Sequence, residues 1–102
     1  MKRIIKQTEE TAYAYLSEFG FDDEQIMPLI EKGTRDLSRI TSEVEVLLNQ
    51  NPISWNEVDD ALHALKGLLF HLGNNPIAEQ IDKVRLNPKV DSSVEALRNL
   101  LI

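Results

Sequence analysis

Two runs of apolar residues, spaced alternately three and four apart, limit what this chain can fold into. Ile26, Ile30, Gly33, Leu37, Ile40, Val44 and Leu47 are spaced 4, 3, 4, 3, 4, 3. Trp55, Val58, Leu62, Leu65, Leu69 and Leu72 are spaced 3, 4, 3, 4, 3. Each run stays on one face of an α-helix, which is the seam of a bundle helix. No segment of the chain has a convincing strand pattern, and there is no internal repeat or low-complexity linker.

The punctuation around these runs predicts three more helices. Thr8 is a plausible N-cap for a first helix, with Glu9 and Glu10 suiting its positive end. Ala12, Leu16 and Phe19 give that helix a modest apolar face, and Gly20 is a natural stop. Asp22 and Asp23 open the second helix, which carries Pro28 near its start, and Asn49 to Pro52 end it. Ser54 with Glu57 reads as a capping box for the third helix, closed by Gly73 and Asn74. Asn75 caps a fourth, with Pro76 at its first position and Ile77, Ile81 and Val84 as its stripe. Asn87-Pro88 breaks it. Ser92 with Glu95 reads as a capping box for a last helix bearing Val94, Leu97, Leu100 and Leu101.

Short connections imply antiparallel neighbours. The expected architecture is therefore all-α: an up-and-down antiparallel four-helix bundle with a shorter additional N-terminal helix. A chain of 102 residues is expected to form one domain. Residues 1–20 would supply the N-terminal helix and 21–102 the bundle.

Charge and composition narrow the function classes. The formal net charge of −6 argues against nucleic acid or an anionic membrane as the main partner, since both favour a basic face. There is no cysteine, which excludes disulfides and thiolate metal sites. Met1-Lys2-Arg3-Ile4-Ile5-Lys6 is basic but lacks the apolar core of a signal peptide. No apolar run approaches membrane-spanning length. The expected location is the cytoplasm.

Chemistry concentrates on the third helix. At about 100° per residue, Gly67 falls about 170° from the centre of the apolar stripe. His63 falls about 130° away, Phe70 about 110°, Asp59 about 90° and Lys66 about 70°. These five share one accessible surface. A neutral imidazole is a competent nucleophile at neutral pH. Asp59, one turn earlier, can orient the ring by accepting from Nδ1–H, with Asp60 as the substitute candidate. Lys66, three residues on, can neutralise part of a phosphoryl charge. Glycine within a helix costs about 1 kcal/mol relative to alanine. Close packing does not excuse it at Gly67, which faces away from the core, so it clears space beside the imidazole. Phe70 suits a docking contact. His71 cannot share a metal with His63, because eight residues mean about 12 Å of rise along the helix.

His63-Ala64-Leu65-Lys66-Gly67, with Gly73 ten residues after the histidine, resembles the motif of histidine-containing phosphotransfer (Hpt) domains. The similarity extends over the helical layout of roughly residues 20–102. The resemblance implies that His63 accepts a phosphoryl group, that Lys66 supports its charge, and that Gly67 opens the surface to a receiver domain. It implies receiver domains and a hybrid histidine kinase as partners, with no nucleic acid and no membrane, for a monomer. It also implies a phosphorelay intermediate with no ATP-dependent kinase activity of its own. No cofactor is then expected on this chain, and Mg2+ comes from the receiver. The family commonly has a small residue after the glycine, where this chain has Leu68. Two other readings are a helical module that binds a receiver or other signalling protein without carrying phosphate, and a receiver phosphatase using Gln80 or Asp59.

Overall fold

The computed structural model describes residues 3–86 and 90–101. They form five helices: α1 Arg3–Glu18, α2 Asp23–Leu48, α3 Trp55–His71, α4 Asn75–Leu86 and α5 Val90–Leu101. There is no strand among the described residues. The centre of the molecule is α3, which packs between α2 and α4; α1 lies on α2, and α5 touches α4, α1 and α2.

The alternating spacings account for the burial. Leu37, Val44, Val58, Leu62, Leu65, Leu69 and Ile81 are all buried within one core cluster, which α1 joins through Ile4 and Ile5 and α5 through Leu97 and Leu101. A smaller cluster of Ala12, Ile26, Ile30 and Leu72 fills the end near the α1–α2 turn. Leu68, where the motif of the resemblance has a small residue, is half-buried and packs against both clusters. Its side chain is part of the packing between them. Trp55 is half-buried at the edge of the larger cluster. At the end of the α2 seam Leu48 is the buried residue and Leu47 is half-buried.

Several helix ends follow local chemistry. Asp22 caps α2 in a full capping box: its carboxylate accepts from the Gln25 backbone N–H at 2.9 Å, and its own N–H donates to the Gln25 side chain at 3.0 Å. Gly20 and Gly73 have φ of 88° and 75°, the left-handed conformation suited to a helix stop.

Other ends differ from the sequence-based expectation. α1 begins at Arg3, not at Thr8. Thr8 lies fully buried inside the helix, where its hydroxyl accepts from Asn74 Nδ2 at 2.9 Å. Glu9 and Glu10 are therefore mid-helix. Burial of Ile4 and Ile5 extends the helix past the local cap signal, because tertiary packing outweighs a cap contribution of about 1 kcal/mol. Ser54 sits at the N-cap of α3 but makes no side-chain cap bond, so the Ser54–Glu57 box is not formed there. α4 starts at Asn75, which puts Pro76 at its second residue. α5 starts at Val90, so Ser92 is inside the helix and the Ser92–Glu95 pair is not its cap. The expected break at Asn87-Pro88 lies outside the described residues.

Leu65 is fully buried, so Leu65→Ala is expected to cost about 2–5 kcal/mol in urea unfolding. His63→Gln, on the exposed face, should leave the midpoint nearly unchanged. A Cβ on Gly73 would lie 2.6 Å from the Tyr15 Cβ. With its left-handed φ, Gly73→Ala should cost at least about 1–2 kcal/mol, seen as a drop in Tm.

Candidate functional site

The outward face of α3 and the adjacent face of α4 form one polar surface. The two helices run side by side in opposite directions: Asp59, early in α3, meets Arg85, late in α4, while Lys66 meets Asp82. Gly73 and Asn74 make the tight reversal between them, with the Asn74 N–H donating to Leu69 O at 2.8 Å.

His63 is exposed, and its ring is held on one side only. Arg85 Nη1 donates to His63 Nδ1 at 3.1 Å. A guanidinium has donors and no acceptor, so Nδ1 must present its lone pair. The neutral ring therefore carries its proton on Nε2. Among the described residues Nε2 has no protein partner.

Arg85 is the hub. Its Nε donates to Asp59 Oδ1 at 2.8 Å and its Nη2 to Asp59 Oδ2 at 3.5 Å. Nη1 also lies 3.7 Å from Asp82 Oδ1. Lys66 Nζ donates to that same Asp82 oxygen at 3.2 Å. The charges form an alternating chain, Lys66, Asp82, Arg85 and Asp59, that ties α3 to α4. Arg85 is only 20% exposed and Lys66 only 23%, so both heads are held against the helix pair by their stems.

The structure brings together the five residues that helical geometry placed on one face, with different contacts. Asp59 meets Arg85, and it is Arg85, not Asp59, that takes the ring nitrogen. The position of Lys66 is set by Asp82. Gly67 is half-buried, and a Cβ built on it meets nothing within 4 Å. The space beside His63 is open. Phe70 is 40% exposed one turn further along. Trp55 and Val58 line a hollow of about 270 Å3 with Asp59, Val84 and Arg85.

Asp82 and Arg85 are members of this candidate site that the periodicity of α3 alone does not contain. Each follows a member of the α4 stripe, Ile81 and Val84, so each flanks the buried face. An acid and a base three residues apart there, on a helix expected antiparallel to α3, is the signal that could have found them. Among the described residues no group of three or more His, Cys, Asp or Glu is placed to hold a metal ion, and no helix is long and apolar enough to cross a membrane.

Compared with family models, with curated proteins and with solved structures, the chain matches none.

The hydrogen bond from Arg85, aided by the positive charges of Arg85 and Lys66, holds the Asp59 carboxyl below its ordinary value despite some desolvation. A carboxyl depressed in the folded state contributes stability that is fully present above its unfolded value and lost as pH falls through the folded one. The Asp59 contribution should therefore disappear on acidification below about pH 4. Asp59→Asn should remove this part of the acid dependence. Thermal melts of both proteins between pH 7 and pH 2.5 should converge at the acid end.

Proposed function

We propose that this chain is an Hpt-type phosphorelay intermediate, carrying a phosphoryl group on His63 between receiver-domain aspartates. One observation carries the reading most: an exposed imidazole with a partner-free Nε2, beside a helical glycine whose Cβ position is open space. In this reading α2 to α5 form the up-and-down antiparallel bundle, α1 is the additional helix, and the protein works as a monomer in the cytoplasm.

The proposed step conserves atoms and electrons. The Nε2 lone pair of the Nδ1–H tautomer attacks the phosphorus of a receiver's acyl phosphate. The N–P bond forms as the P–O bond to aspartate breaks, and the aspartate leaves as carboxylate. The Nδ1 proton then goes to solvent. Positioning and charge stabilisation carry such a transfer. Lys66 supplies positive charge on this side, and the receiver supplies the magnesium ion. Gly67 and Phe70 form the docking contact.

One observation favours the second reading, a helical module that binds a receiver without taking phosphate: the resting ring carries its proton on Nε2, the atom that must attack. Incubation with a phosphorylated receiver separates the two. Acid-labile, base-stable label on wild type and none on His63→Gln is expected. Label on His63→Gln equal to wild type would sink the relay reading, and binding that survives His63→Ala with no phosphohistidine favours the module.

Gly67 gives a second test. Gly67→Ala meets no neighbour, so it should stabilise the helix by about 1 kcal/mol and raise Tm. The added methyl should nevertheless slow phosphotransfer from a receiver. A variant that is both more stable and equally fast would show that the open space has no docking role.

A further inference from the structure

Arg85 occupies the wrong atom for a reactive histidine and the right one for a phosphorylated histidine. Attack through Nε2 needs the proton on Nδ1, and an Nδ1–H facing a guanidinium N–H sets donor against donor. After transfer the order reverses. The phosphoryl group is on Nε2, Nδ1 has lost its proton, and its lone pair is the acceptor that Arg85 Nη1 already addresses at 3.1 Å. We propose that Arg85 is a positioning residue that holds His63 Nδ1 as an acceptor and so makes phosphorylated His63 a long-lived phosphoryl store. The inference rests on the phosphorelay reading.

The chemistry follows from how the N–P bond breaks. Water or an acceptor carboxylate attacks phosphorus and the imidazole leaves with the bonding electron pair. A neutral ring leaving from Nε2 departs as an anion unless Nδ1 is protonated first, so protonation of Nδ1 is what makes the group labile. A fixed cation at Nδ1 opposes that protonation twice, by occupying the lone pair and by like charge. The charged group on the ring is Arg85; behind it stand Asp59 on α3 and Asp82 on α4, Asp82 paired in turn with Lys66, and Asp60 adds a weaker field at Arg85. The acids favour a ring cation, but Asp59 and Asp82 are both engaged by Arg85, and Asp82 also by Lys66. These two carboxylates anchor the guanidinium beside the ring. To react, His63 must displace Arg85 onto them, so the same contact slows loading and prolongs storage.

The test uses the full chain labelled at His63 with phosphoramidate, a small-molecule donor that needs no receiver. Loss of phosphoryl is followed by 31P NMR between pH 4 and 8 in wild type, Arg85→Ala and Arg85→Lys, with helicity checked by circular dichroism. Arg85→Ala should lose its phosphoryl group about tenfold faster near pH 6, the midpoint of the acid limb moving up by about one pH unit. Arg85→Lys, which keeps a cationic donor, should restore most of the lifetime. In the unphosphorylated proteins, imidazole 15N shifts should show the Nε2–H tautomer in wild type and a mixed population in Arg85→Ala. Superimposable pH profiles, a lysine variant no better than alanine, or a wild-type ring protonated on Nδ1 would each overturn the proposal. A receiver that fails to label His63 overturns the relay reading instead, and the profiles of the chemically labelled protein still decide the role of Arg85.

Discussion

Burial of the α3 stripe is the constraint on which the rest depends. Val58, Leu62, Leu65 and Leu69 are all at or near zero exposure, between α2 on one side and α4 on the other. Once that face is committed to the core, helical geometry leaves no choice for His63 and Gly67: they must look outward. The same packing brings α4 alongside in the opposite direction and sets its register. Register then decides that Arg85 falls beside His63 and Asp82 beside Lys66. The polar cluster is thus a consequence of apolar packing, and a one-turn slip of α4 would dissolve it.

This dependence explains what could be read from the residues and what could not. Five helices and the faces of the two long ones were legible, because they follow from local spacing and from residues such as Asp22, Gly20 and Gly73 whose chemistry acts within one turn. The outward placement of Gly67 was legible for the same reason. The start of α1 was not: Thr8 has the type of an N-cap, yet its hydroxyl is claimed by Asn74, 66 residues away. Ser54 has the right type and position and still makes no cap bond. Within the site, His63, Lys66, Gly67, Phe70 and Asp59 share one helix and one angle calculation. Arg85 and Asp82 arrive from another helix, so finding them requires the α3–α4 register, which no periodicity within one segment contains.

The electrostatic arrangement also redistributes roles. An acid one turn before a histidine invites assignment as the group that orients the imidazole. Here Asp59 orients the guanidinium that orients the imidazole. Reversing the group at Nδ1 from acceptor to donor reverses the resting tautomer, so the identity of a single contact outweighs the type of residue nearest in sequence. Individually, partly exposed ion pairs of this kind contribute little to stability. Their value at this surface is directional, since three linked pairs fix one guanidinium plane against one ring nitrogen.

Gly67 and Arg85 give the surroundings of His63 two different characters. Gly67 leaves open the approach beside His63 on α3, at a cost in helix propensity that no packing contact offsets. Arg85 covers the Nδ1 edge with a cation. In the proposed relay, a phosphoryl group on the partner-free Nε2 is reachable by a receiver's carboxylate, while the ring nitrogen whose protonation releases it is held by Arg85. Access by a docked protein and resistance to bulk acid are normally in conflict, because both require exposure of the same small ring. The open position lies on α3 and the cation on α4, so the proposed relay separates the two demands, and the antiparallel pairing of the helices brings both to a single histidine.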